Sequence, residues 1–141
     1  MKKEPLFDYN SETGIASCLI EDKNGNIIYG IAKCHPDDMD MASEKTGCDF
    51  AYRRAYIKVM QAYKKELKVE LKTLNQLYYS MNRSKYFNPR SYENKMLQRQ
   101  IRQRQEDIKY VNNTIKEAKD KLNNIIDEKD KFYKNIRKNR S

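Results

Sequence analysis

The residues equipped for chemistry gather in one short stretch. His35 is the only histidine, it directly follows Cys34, and Cys18 and Cys48 are the remaining cysteines. A Ser-His-Asp or Cys-His site would need His35 as its base. Neighbouring residues in an extended segment point to opposite sides, so Cys34 and His35 are poorly arranged for proton transfer. Zinc needs about four ligands, and Cys18, Cys34, His35 and Cys48 are four of suitable type. No two of them have finger-like spacing, so buried thiols and a satisfied histidine are the simpler expectation. Asp37, Asp38, Asp40 and Glu44 offer the carboxylates of a hard-metal site. Carboxylates just ahead of a helix more often act as caps and dipole partners. There is no glycine-rich phosphate loop and no dinucleotide fingerprint. The expectation is a protein without catalytic activity, metal or cofactor.

Binding chemistry is better represented. Residues 83–104 carry seven basic side chains (Arg83, Lys85, Arg90, Lys95, Arg99, Arg102 and Arg104) against one acid, Glu93. Tyr78, Tyr79, Tyr86, Phe87 and Tyr92 are interleaved with them. Aromatic faces stack on nucleobases, guanidinium groups fork onto phosphates, and an asparagine such as Asn88 can read an adenine edge. The same tyrosines would serve equally well as packing between helices. On helical register Arg53 and Arg104 fall on apolar seams, where a charge must find an acid or face a ligand. Arg54 shares a face with Gly47, Ala51 and Lys58, the side expected to meet a β-ribbon. The candidate ligand-binding set is therefore Arg53, Arg54, Tyr78, Phe87, Asn88, Arg90 and Arg104.

The bulk charge points the same way. The chain has 141 residues and a net charge of +9. Residues 1–50 hold 5 basic and 10 acidic side chains, a net of −5, whereas residues 51–141 hold 24 and 10, a net of +14. An anionic partner suits the second part, although lysines and arginines also simply solvate long helices. A hydrophobic share of 38% beside 35% charged residues is low for a compact globule, so self-association to a homodimer or higher homo-oligomer is expected. No apolar run approaches the ~18 residues of a membrane span. Three cysteines without CxxC spacing, and no secretion signal, fit a reducing cytosol.

These residues must be positioned by a small β region and two long helices, an α+β chain read as a single domain. Residues 1–36 form the β-ribbon region, in which Leu6, Phe7 and Tyr9 suggest an edge strand or an arm. Two apolar runs flank Asn24-Gly25, which suits a two-residue type I′ turn. That turn sets Ile20 opposite Tyr29 and Cys18 opposite Ile31. Gly30 leaves a thin spot for another backbone or a ligand. Pro36 ends the second strand, and Asp40 or Ser43 caps the first helix, residues 43–82. Its seam reads Tyr56, Met60, Tyr63, Leu67, Leu74, Leu77 and Met81. Residues 83–90 break the pattern with Asn88-Pro89, and Ser91 caps a second helix reaching residue 138. The second seam reads Leu97, Ile101, Ile108, Val111, Ile115, Ala118, Leu122, Ile125 and Phe132. A short connection makes the helices an antiparallel hairpin. The longer helix overhangs with an apolar stripe that a second copy would cover.

The junction itself resembles a known family. Gly30-x-Ala32-x-Cys34-His35-Pro36-x-Asp38, followed by Gly47-x-x-x-Ala51-x-x-Arg54-Ala55-x-x-Lys58, is similar to the phage anti-Thoeris sponge family, Thoeris anti-defence protein one. The order of parts resembles it as well. The resemblance implies an oligomeric, non-catalytic protein in the cytoplasm of the infected bacterial host. It would sequester 1″–3′ glycocyclic ADP-ribose, a cyclic ADP-ribose isomer made by the TIR-domain enzyme of Thoeris defence. Some members also hold cyclic oligonucleotides. Among the candidate ligand-binding residues only Arg54 belongs to the shared junction; the others come from the reading of residue types above. The alternative reading is a basic coiled-coil nucleic-acid-binding phage protein.

Overall fold

The structure is a computed structural model that describes residues 4–34, 43–84 and 88–140. The expectations for His35, Pro36, Asp37, Asp38, Asp40 and Phe87 fall outside the described residues. Three strands, β1 (Leu6–Asn10), β2 (Ile15–Glu21) and β3 (Ile27–Lys33), precede two long helices, α1 (Glu44–Asn82) and α2 (Tyr92–Arg140). The sheet is antiparallel with order β1-β2-β3. The chain forms two compact units: Met1–Met60 with Ile115–Ser141, and Gln61–Thr114. The expected α+β architecture of a small antiparallel β region followed by two long helices is present, and of the two readings for the residues near Leu6, edge strand or arm, the edge strand holds, giving the ribbon a third strand.

The turn between β2 and β3 differs from the two-residue expectation. The Gly25 N–H donates to Asp22 O, and the Asp22 N–H donates to Asn26 O. Within this turn only Gly25 adopts positive φ, at 81°, and Asn24 does not. This is a three-residue loop, a type I turn closed by a left-handed glycine. The Asp22 carboxylate stabilises it by accepting from the N–H groups of Asn24 and Asn26 at 2.9 and 2.8 Å. The register moves by one residue. Cys18 lies opposite Gly30 and Ile20 opposite Ile28, rather than Ile31 and Tyr29. Because side chains alternate, the slip reverses the buried face of β3. Tyr29 and Ile31 are exposed on the outer face, and Gly30 and Ala32 turn inward.

In the first unit the inner face is consequently small. Ala16, Cys18 and Ala32 meet Phe50, Ala51, Ala55 and Ile57 of α1 and Leu122 of α2. Small residues on both sides allow close backbone approach. A Cβ built on Gly30 would lie 2.1 Å from Ala51 O and 2.5 Å from Ala55 N. The thin spot expected at Gly30 is where the backbone of α1 sits. Gly47, a weak helix former in α1, has a similar reason: its Cβ would stand 3.0 Å from the Ala16 Cβ.

Both helix starts are capped as the residue types dictate. Ser43 Oγ accepts from the Thr46 N–H at 3.4 Å, and Ser91 Oγ from the Asn94 N–H at 3.2 Å. Asn94 is fully buried. Its amide donates to Asn88 O at 3.2 Å and its Oδ1 accepts from Gln98 Nε2 at 3.3 Å. One side chain therefore ties the 88–91 segment to α2. Asn94→Ala would leave Asn88 O without this donor and open a small void. It is expected to lower stability by about 1–3 kcal/mol, measured by thermal unfolding, whereas exposed Asn112→Ala should cost less than about 0.5 kcal/mol.

The seams hold with corrections. Leu77 is exposed and Tyr78 takes its place on α1, because spacings of three-then-four and four-then-three both satisfy the pattern. On α2 the exposed residue is Phe132, and Tyr133 is buried instead. A strict heptad repeat drifts by ~20° per heptad against a straight helix, which over five heptads amounts to one residue. The apolar stripe around Ala118, Leu122, Ile125 and Ile126 is also not left bare. It packs within the core of the first unit, against the sheet and the start of α1.

Candidate ligand-binding groove

The first unit carries an open groove of about 940 Å³ where β1, the first turns of α1 and the later part of α2 meet. Pro5 and Phe7 line it from β1 and the residues before it, Lys45, Asp49, Phe50 and Tyr52 from α1, and Ile125, Lys129 and Phe132 from α2. Two of its aromatic rings are largely open to solvent, with Phe7 51% and Phe132 60% exposed, while Phe50 is buried. Phe7 and Tyr52 lie 6.5 Å apart at 45°, and Tyr52 stacks on Tyr56 at 6.4 Å and 23°. These rings form a short ladder of π-faces at the mouth.

The polar groups divide into cations and acids. Lys45 and Lys129 line the groove beside Asp49 and Glu128. The Lys129 ammonium lies 4.7 Å above the Phe50 ring and 5.2 Å from that of Tyr133, an arrangement that holds the charge in place through the ring quadrupoles. Asp49 is engaged by Arg53, with Nε to Oδ2 at 3.0 Å, so its charge is partly answered. A smaller groove of about 260 Å³ adjoins, lined by Tyr52, Arg53, Tyr56, Ala118 and Lys121. Tyr52 is common to both. Lys45 and Lys129 thus line one groove and Arg53 and Lys121 the other, beside the acids Asp49 and Glu128, with exposed Tyr52 between the two.

The residues expected from sequence divide between the two units. In the first, Arg53 lines the smaller groove while paired with Asp49. Arg54 meets the sheet as expected, its Nη1 donating to Ile31 O at 2.7 Å. Lys58, one turn on, donates to Tyr29 O at 2.9 Å and lies 4.5 Å over the Tyr29 ring. Together these cations cover carbonyls of edge strand β3, which blunts it against further pairing. In the second unit, Arg104 pairs with Glu70 at 2.7 Å and approaches Asp107 at 3.8 Å. Tyr78 Oη is 3.4 Å from Gln98 Nε2. Asn88 Oδ1 accepts from the Arg90 N–H at 2.9 Å, and the Arg90 side chain is exposed. Of the two seam arginines, both resolve the choice between acid and ligand by taking an acid.

Phe7, Lys45, Tyr52, Lys129 and Phe132 were not among the binding candidates; Phe7 was read as part of a strand or arm and Phe132 as part of a seam. They come from three elements and meet only through the fold. One signal was available: the Phe132-Tyr133 pair on α2 allows only one ring at a time to face the core.

Of the three thiols expected to be buried, only Cys18 is; Cys34 and Cys48 are half-buried. Burial pushes the Cys18 thiol up, with the nearby Cys48 thiol adding to it. Cys48 is raised by burial first and then by the Glu44 and Asp8 carboxylates. Raised thiols stay protonated at neutral pH and are poor nucleophiles and metal ligands. Among the described residues, no group of three or more metal-ligating side chains occurs. Native Cys18 is expected to alkylate with iodoacetamide at pH 8 at least about tenfold more slowly than after urea unfolding, as read by peptide mass spectrometry. Equal rates would show that the core opens freely.

No family model, curated protein or solved structure matches this chain. Among the described residues, no helix is long and apolar enough to cross a membrane.

Proposed function

We propose that the protein is a non-catalytic sponge that sequesters a cyclic ADP-ribose isomer, 1″–3′ glycocyclic ADP-ribose, and so blocks bacterial Thoeris signalling in the cytoplasm of an infected host. The observation that carries this reading is the pair of grooves in the first unit that share exposed Tyr52, one lined by Phe7, Lys45 and Lys129 and the other by Arg53 and Lys121. The junction resemblance supplies the ligand class. In this reading the adenine stacks on Tyr52 or Phe7, and the pyrophosphate lies toward Lys129 and Lys45. A sponge needs tight binding and slow release, and has no use for groups that favour a transition state.

Homo-oligomerisation belongs to the same proposal. Leu6, Leu19, Ile27, Tyr29 and Ile31 are exposed on the outer face of the sheet, and a second copy covering them would add the burial that the composition lacks. The ligand reading is tested by calorimetry with a panel of cyclic ADP-ribose isomers and cyclic oligonucleotides. Stoichiometric binding of a cyclic ADP-ribose isomer, recovered intact after heat denaturation, is expected. No binding overturns the reading, and recovery of a cleaved product replaces a sponge with a hydrolase.

A further inference from the structure

The second unit bears a surface that the groove reading does not use. Along α1 and in the turn just after it, Lys65, Lys68, Lys72, Gln76, Tyr79 and Arg83 are all exposed. Their spacings of three and four residues set them in one stripe, about 27 Å long at ~1.5 Å per residue. No acid interrupts it. The nearest carboxylates on this segment, Glu66 and Glu70, are half-buried, and Glu70 is engaged by Arg104. Residues 61–114 carry 12 basic and 5 acidic side chains, a net of +7.

Charge alone would describe a solvated helix. Two further observations point to a ligand. Lys68, Lys72, Asn75, Gln76 and Tyr79 line a shallow groove of about 600 Å³ with Leu71 at its base. The Tyr79 ring is 61% exposed, and the Arg83 guanidinium lies 5.3 Å from its centroid. The guanidinium holds one face of the ring, which leaves an aromatic platform beside a row of ammonium groups. A positively charged track with stacking rings is the arrangement by which proteins hold single-stranded nucleic acid without reading its sequence.

We infer that this face of α1 binds single-stranded nucleic acid, phosphates following Lys65, Lys68 and Lys72 and a base stacking on Tyr79. The inference is independent of the groove in the first unit and does not require that the groove hold a nucleotide. The track favours a flexible single strand over a duplex, because a paired base offers no free face to Tyr79.

The test is fluorescence anisotropy of the full chain with a labelled 20-nucleotide oligo(dT), its duplex with oligo(dA), and heparin as competitor. Oligo(dT) is expected to bind with a steep inverse salt dependence. Lys68→Glu with Lys72→Glu should weaken it at least about tenfold and flatten the salt slope by roughly 1.4, at ~0.7 per phosphate contact. Tyr79→Ala should weaken oligo(dT) about tenfold and leave the duplex unchanged. All three positions are exposed, and unchanged thermal unfolding of the variants separates loss of binding from loss of fold. Absence of oligo(dT) binding overturns the inference. So does equal affinity for the duplex with no effect of Tyr79→Ala, which would reduce the face to a generic polyanion surface.

Discussion

Gly30→Ala is expected to destabilise the protein by about 3 kcal/mol, lowering the midpoint of thermal unfolding by about 10 °C. The added methyl would stand 2.1 Å from Ala51 O and 2.5 Å from Ala55 N. Both atoms belong to the backbone of α1, so no side chain can rotate away. The helix must lift from β3, and with it Ala51 and Ala55, which are fully buried. Lifting α1 also stretches the Arg54 and Lys58 bonds to the β3 carbonyls, now 2.7 and 2.9 Å. Gly25→Ala is the natural comparison. Its Cβ would meet only Glu21 Oε1 at 3.9 Å, so the cost is confined to the left-handed backbone at φ 81°, about 1 kcal/mol. Thermal and urea unfolding followed by circular dichroism should rank the two in that order. The reverse ranking would contradict the close packing of α1 on the sheet.

Lys129→Glu is expected to weaken capture of a cyclic ADP-ribose isomer about thirtyfold, or roughly 2 kcal/mol, with little change in fold. Lys45 and Lys129 now balance Asp49 and Glu128 along the groove; the substitution takes those four side chains from a net of zero to −2. A phosphate about 6 Å away at an effective dielectric near 20 would feel ~3 kcal/mol per unit charge, reduced by the open solvent side. Lys129 also rests on the Phe50 and Tyr133 rings, so losing the ammonium forfeits about 0.5–1 kcal/mol of cation–π contact. Lys129→Met keeps the aliphatic packing and should weaken capture less than Lys129→Glu. Calorimetry on both variants measures the electrostatic share. If both bind as the unaltered protein does, the ligand does not sit near Lys129.

Much of the architecture was legible because it rests on local rules. Ser43 and Ser91 cap the helices as their residue type and position require, and the alternating spacing of apolar residues runs the length of both. Gly30 could be read as a point of close approach, since a glycine inside a strand gives up packing unless something fills the space. The hairpin register was misread for an equally local reason. Asn24-Gly25 suits two turns, and the one adopted needs positive φ only at Gly25. Asp22 decides between them, since its carboxylate accepts two backbone N–H groups and favours the three-residue loop. That choice turns Tyr29 and Ile31 outward.

The candidate site was harder to foresee, because clustering in sequence does not imply meeting in space. Arg53 and Arg104 were read as seam charges that must find an acid or a ligand, and Arg54 as facing the β-ribbon. Arg53, Arg54 and Arg104 each found a partner within the chain: Asp49, the Ile31 carbonyl and Glu70 respectively. The groove instead draws Phe7 from a short edge strand, Tyr52 from the exposed side of α1 and Phe132 from beyond the point where the heptad drifts. Only Phe132, beside Tyr133, has a sequence neighbour that marks it.

Residue-resolved NMR of the 141-residue chain, titrated with 1″–3′ glycocyclic ADP-ribose, tests the central claim most directly. The account predicts saturable shifts concentrated at Phe7, Lys45 to Arg53 and Ile125 to Phe132, with the amides around Glu70 and Arg104 unmoved. Saturable shifts centred on Tyr78, Asn88 and Arg104, or no shifts at millimolar ligand, would contradict it.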